Sequence, residues 1–206
     1  MFETTTLLLF ITTSVLLALS PGPDNIFVLT ISIARGSLAG IITTLGLCSG
    51  LFFHTLAVAL GVAVFIQESA LAFSLLKLCG ALYLGWLAWK MLRSPATAIE
   101  EEGRHESLKK LYFRGVVMNV MNPKVSLFFL AFLPQFTHPA AGHVTLQVAI
   151  LGLIFMLSAL LVFITISLLA GRIGGRLRSG RSGEILNKLS AGIFAGLAIK
   201  LLLSER

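Results

Sequence analysis

Apolar length is the feature that most constrains this chain. A helix needs about 20 predominantly apolar residues to cross the roughly 30 Å hydrocarbon layer of a bilayer. Six stretches qualify, over roughly 6–33, 40–66, 70–92, 115–134, 145–170 and 186–203. Inside lipid the backbone finds no water, so each stretch must close its own hydrogen bonds as a helix. The predicted fold class is an all-α polytopic membrane protein with six transmembrane helices, forming one transmembrane domain over 1–206. Composition agrees: only 12% of the residues are charged, where soluble domains carry about 25%. A cleaved signal peptide needs a basic n-region, and the first basic residue here is Arg35. The first stretch therefore reads as a retained helix.

The net charge of +7 is explained by topology rather than by nucleic acid. The loops after the first, third and fifth spans, with their flanks, hold Arg35, then Lys90, Arg93, Arg104, Lys109, Lys110 and Arg114, then Arg172, Arg176, Arg178, Arg181 and Lys188. The other face holds only Lys200 and Arg206. By the positive-inside rule the basic loops are cytoplasmic and both termini are periplasmic. Residues 94–112 form a cytoplasmic linker between two halves, 1–93 and 113–206.

Two of the spans carry penalties at one place. The first is interrupted by Ser20-Pro21-Gly22-Pro23-Asp24-Asn25 and the fourth by Asn119, Asn122, Pro123 and Lys124. Proline inside a helix costs about 3 kcal/mol, and a charge at bilayer depth about 2.5–3.5 kcal/mol on insertion scales. Pro21, Pro23 and Pro123 deprive the carbonyls of Leu17, Leu19 and Asn119 of their helical donors. Such carbonyls must find other partners, or water in a cavity. Asn122-Pro123 fits a helix N-cap followed by proline at the first helical position, so helices 1 and 4 are predicted to be broken near the midplane.

The breaks fall at matching places in an internal repeat. KLCGALYLGWLA from Lys77 lines up without gaps on KLSAGIFAGLAI from Lys188, and setting Pro23 against Pro123 puts Asp24 opposite Lys124. Three spans per half is odd, so the halves must run inverted through the membrane. Inverted repeats with interrupted helices point to a transport site at the repeat interface. Pro21, Gly22, Pro23, Asp24, Asn25, Asn119, Asn122, Pro123 and Lys124 are the predicted substrate-binding residues. Lys124 and the half-helix starts suit a carboxylate, and Asp24 suits an ammonium. Together they match a zwitterionic amino acid. Asp24 and Lys124 also read as a structural ion pair; the two readings are compatible if substrate opens a resting pair.

His54 reads equally as a proton relay or a hydrogen-bonded structural group; with Asp24 it is a proton-coupling candidate. Cys48 and Cys79 have no metal or CxxC spacing and read as buried small apolar residues. Tyr83, Trp86 and Trp89 read as an interfacial anchor, and Gln135 as an interfacial residue. Gly46-x₃-Gly50 and Gly192-x₃-Gly196 permit close helix approach within one bundle, and a homo-oligomer is left open. No phosphate loop, zinc signature or nucleophile elbow occurs, so no catalytic or metal residue and no cofactor is expected.

Ser20-Pro21-Gly22-Pro23-Asp24, Asn122-Pro123-Lys124, GLCSGLFFHT, GALYLGWLAW and FLPQF resemble the LysE/RhtB family of bacterial amino-acid exporters, the homoserine/threonine efflux branch most of all, over essentially the whole chain. The resemblance implies proton-driven export of L-amino acids, threonine, homoserine or similar neutral ones, across the bacterial inner membrane, and no enzymatic activity. Its implied partners are the amino acid, protons and the lipid bilayer. An uncoupled facilitator or channel would use the same pocket, and a membrane redox protein would rest on Cys48 and Cys79 alone.

Overall fold

The proline interruptions divide the chain into helices as their chemistry requires. A computed structural model of the protein describes residues 2–20, 22–62 and 106–173, with single helical positions at 78, 82, 85, 86, 89, 93, 195 and 199. Helix α1, Thr4–Leu19, stops just before the interruption, and α2, Pro23–Arg35, starts after it with proline in its first turn. Gly22 is its N-cap, in extended conformation at φ −167°. Gly36 ends α2 at φ +85°, a left-handed geometry that favours glycine, and the chain turns directly into α3, Ser37–Ala57. A π-helical turn, Val58–Val62, continues α3.

After the linker, α4 spans Leu108–Val120. It begins earlier than the apolar run near 115 suggests, because Ser107 caps it by accepting from the Lys110 amide at 3.3 Å. Its amphipathic first turns carry Lys109 and Lys110 before the apolar part is reached. Asn122 caps the short α5, Pro123–Leu127, which passes into a π-helical turn at Phe128–Phe132 and a 3₁₀ turn at Leu133–Phe136. A loop then leads to α6, Val144–Ile173. Thirty residues make α6 about 45 Å long.

Among the described residues all regular elements are helical. Ser37–Leu60 and Val144–Arg172 are each long and apolar enough to cross a membrane. Two bent pairs, α1 with α2 at 57° and α4 with the helix from Pro123 at 47°, each qualify when counted as one span, which gives two to four candidate spans. Apart from those single positions, the third and sixth expected spans lie outside the described residues, as do most of the 94–112 linker, Pro21, Lys77, Cys79, Tyr83, Lys188, Gly192 and Gly196. Of the expected aromatic anchor, Trp86 and Trp89 are exposed, and the Arg93 guanidinium lies over the Trp89 ring at 4.1 Å.

Helix α3 is the centre of the packing, against α4 on one side and α6 on the other, while α1 and α2 lie on α6. The approach of α3 to α4 runs through glycine. A Cβ at Gly46 would stand 2.0 Å from the Tyr112 carbonyl oxygen, and one at Gly115 would stand 2.6 Å from that of Thr43. Small residues let helix backbones come this close, so the Gly46-x₃-Gly50 pair packs inside the bundle as expected. Two apolar clusters fill the interior. The larger holds Phe10, Phe128, Phe129, Phe132, Phe136 and Phe155, with Phe128 and Phe155 ring centroids 4.8 Å apart. The smaller holds Phe27, Ile31, Ala39 and Leu111, between α2, α3 and α4.

Beyond the smaller cluster, α2 and α4 are tied at their far ends. Arg35 donates to the Glu106 carbonyl. The Glu106 carboxylate pairs with Lys110 at 3.1 Å and Arg114 at 3.5 Å, and Arg114 also lies 4.7 Å over the Phe27 ring. Partial burial pushes the Glu106 carboxyl up, but the hydrogen bond from Lys110 and the charges of Arg114 and Lys110 outweigh it and hold the group below the usual carboxylate range.

Candidate functional site

The two breaks meet. Asp24, in the first turn of α2, is 2% exposed, and Lys124, in the first turn of α5, is 3% exposed. Burial this complete requires that every polar atom be answered, because an unmet buried group costs about 1–3 kcal/mol and an unmet charge more. The answers come from the opposite break. Asp24 Oδ2 accepts from Asn119 Nδ2 at 2.9 Å, and Oδ1 accepts from Asn122 Nδ2 at 2.8 Å. Lys124 Nζ donates to the Leu17 carbonyl at 3.2 Å and to the Ser20 carbonyl at 2.9 Å. The acid of the first break is thus held by the amides of the second, and the cation of the second is held by carbonyls of the first.

This arrangement answers two of the three carbonyls that proline sets free, those of Leu17 and Asn119. Leu17, expected to lose its donor, receives Lys124. Asn119, the counterpart in α4, receives the Asn122 amide at 2.9 Å and faces His54 Nε2 at 3.1 Å. The Nε2–H tautomer of His54 makes that contact as donor. Asn25 caps the end of α1 by donating Nδ2 to the Ala18 carbonyl at 2.6 Å. Asn122 has two tasks: its Nδ2 goes to Asp24 and its Oδ1 accepts from the Lys124 amide at 3.0 Å as the α5 N-cap. Gly22 packs closely on this cation: a Cβ there would stand 3.1 Å from Lys124 Nζ, which would have to give by a few tenths of an ångström.

A cavity lies against this polar knot. It holds about 300 Å³ of empty space, its mouth included, and is lined by Leu17, Ala18, Asp24, Leu51, Asn119, Lys124, Val125, Phe155, Ala159 and Phe163. Asp24, Asn119 and Lys124 make its polar end, and the rest is apolar. Asn119 Oδ1 and Asn25 Oδ1 are buried and have no hydrogen-bond partner among the described residues. Such atoms call for an explanation, a ligand or a water among them.

The structure brings together Gly22, Pro23, Asp24, Asn25, Asn119, Asn122, Pro123 and Lys124, with His54 one contact away through the Asn119 carbonyl. Cys48 is buried and free, as expected of an apolar filler, and Gln135 donates to the Ala131 carbonyl of its own helix. Sequence reasoning missed two groups. Leu51, Phe155, Ala159 and Phe163 form the apolar wall, and an apolar residue in an apolar helix carries no signal of its own. Gln147, fully buried, clamps the loop before α6 through the His138 amide and carbonyl and the Gly142 carbonyl. A lone amide near the start of a long apolar run was the available clue.

Over residues 15–205 the chain matches the family model described as LysE type translocator. It is 33% identical over 186 residues to the homoserine/homoserine lactone efflux protein of Salmonella typhimurium, covering 90% of each chain. It is 31% identical over 195 residues to an uncharacterized membrane protein of Vibrio cholerae, covering 94% of this chain and 95% of the relative. It is 31% identical over 156 residues to the leucine efflux protein of an Enterobacter strain, covering 71% of this chain and 73% of the relative. No solved structure matches the chain.

Proposed function

The chain belongs to the LysE type translocator family, and from that premise we propose that it exports neutral L-amino acids, homoserine, threonine or others of similar size, from the bacterial cytoplasm across the inner membrane in exchange for protons. The observation that carries this reading is the reciprocal hold of Asp24 and Lys124 across two helix breaks, at the polar end of one cavity. Efflux of amino acids by named relatives supports the substrate class.

An amino acid presents a carboxylate beside an ammonium. Lys124 Nζ takes the carboxylate, releasing the Leu17 and Ser20 carbonyls. Asp24 takes the ammonium, with the Asn119 Oδ1 acceptor on the same cavity wall. Substrate therefore replaces bonds that hold the two breaks together, which links occupancy to movement of the half-helices. Exchange for a proton follows from the same acid. A carboxylate accepts at both oxygens, whereas a protonated carboxyl is itself a donor and has lost charge. A proton and a substrate ammonium compete for Asp24, and competition for one acid is what antiport needs. His54, held on the Asn119 carbonyl, is the second proton candidate.

The bent pairs read as equivalent parts of two inverted repeats. In support, α1 packs on α6 while α4 packs on α3, the exchange that inversion requires, and each second half-helix starts with proline followed by a charged residue. Rocking of one repeat on the other gives alternating access.

The test is uptake of labelled L-amino acids by energised everted membrane vesicles, with and without an uncoupler. Homoserine or threonine uptake is expected, lost with uncoupler. Lys124→Ala, inserted normally, should lower uptake about 10–100-fold, the worth of a charge-assisted contact of roughly 1.5–3 kcal/mol. Normal uptake by Lys124→Ala refutes the site, and full uptake after collapse of both pH gradient and potential refutes proton exchange.

A further inference from the structure

The exporter reading leaves open what distinguishes one amino acid from another, and the apolar wall of the cavity bears on that. Three of its residues come from one face of α6: Phe155, Ala159 and Phe163, spaced four apart. Residues at this spacing stack along one side of a helix. Ala159 is therefore the one small side chain between two large rings, and it is itself 2% exposed. Leu51 of α3 and Val125 of α5 also line the cavity, and both are buried.

Resting on the exporter reading, we propose that the notch at Ala159, walled by Phe155 and Phe163, is the side-chain subsite, and that it selects L-amino acids with short or branched aliphatic side chains. The size limit follows from the packing. Cores and pockets built at interior density do not stretch, so an added methylene displaces its neighbours. The polarity limit follows from the partners. A cationic side chain needs an acid within the pocket. Among the described lining residues Asp24 is the only acid, and it is committed to the backbone ammonium in this reading. Lysine and arginine are therefore rejected. A methylene gained or lost in such a pocket changes selection by about 10–200-fold.

Competing uptake of labelled L-leucine, L-alanine and L-lysine by everted vesicles tests the assignment. Wild-type protein should take up leucine and alanine and leave lysine at the level of empty vesicles. Ala159→Leu should lower leucine uptake at least about tenfold while alanine stays within about twofold. Should Ala159→Leu fail to reach the membrane, Ala159→Gly decides: it should raise methionine uptake relative to alanine. Lysine uptake by the wild type overturns the proposal. So does equal loss of leucine and alanine in Ala159→Leu, which marks a structural role, or an unchanged methionine-to-alanine ratio in Ala159→Gly. Uptake of none of these amino acids by folded wild-type protein overturns the exporter reading as well. A change in Ala159 without effect on selection overturns the subsite alone.

Discussion

At the scale of the residue, the molecule is organised by the exchange of hydrogen bonds across two helix breaks. Lys124 answers carbonyls in the first break, and Asn119 and Asn122 answer the acid beside it. Asn122 is the most burdened side chain, since it caps α5 and holds Asp24 at once. Asn122→Ala should cost about 0.5–2 kcal/mol for the cap and a further 1–3 kcal/mol for the Asp24 oxygen left without its donor. Thermal unfolding in detergent should show a lowered midpoint, and lower than that of Asn25→Ala, which loses one bond to the Ala18 carbonyl. Much of this site was legible beforehand. Proline and charge inside apolar runs are costly, and a costly residue stands out in a sequence. The partners of Lys124 were not legible: it lies more than a hundred positions from Ser20, and only the folded chain shows that it reaches the carbonyls of the first break. The apolar wall was invisible for the opposite reason, because Ala159 and Phe155 cost nothing where they stand.

At the scale of the element, two features invite tests. The first is the crossing of α3 and α4 at Gly46 and Gly115. A methyl at Gly46 would meet backbone, the Tyr112 carbonyl oxygen, rather than a movable side chain. Gly46→Ala should therefore force the helices apart and destabilise the bundle by about 1–3 kcal/mol, typical of overpacking, read as a lower unfolding midpoint. The sequence pointed to this contact through the Gly-x₃-Gly spacing, but not to its partner helix. The second feature is the ion-pair cluster at the start of α4, where the Glu106 carboxylate meets Lys110 and Arg114. The folded state holds the Glu106 carboxyl below its ordinary range, so the unfolded chain binds its proton first on acidification. The contribution is complete above the ordinary glutamate range and is lost as pH falls through the depressed folded value. Surface pairs of this kind are worth about 0–1 kcal/mol. Glu106→Gln should remove that acid-side loss, so the stability of wild type and variant, apart at pH 7, should converge at low pH. A constant gap across the whole range would rule out an ionic contribution from the Glu106 carboxylate. Ser107 is the reason α4 starts before its apolar run, and a capping serine among polar linker residues is easily overlooked.

At the scale of the whole molecule, the described helices, two bent pairs with α3 and α6, pack on a shared apolar core, and the polar knot of Asp24 and Lys124 lies between the breaks. The sequence makes these helices legible because membrane solvation allows few alternatives: an apolar run of sufficient length must be helical. In the proposed mechanism one amino acid replaces the bonds between the breaks, so binding can be tested apart from transport. Equilibrium binding of labelled L-homoserine and L-leucine to purified protein in detergent, with no gradient, isolates that step. Wild type should bind at least one of them saturably. Asp24→Asn and Lys124→Met, each confirmed folded by circular dichroism, should bind about 10–100-fold more weakly. Wild-type affinity in both variants would contradict the account, because the substrate would then rest on groups other than the acid and the cation that the two breaks bring together.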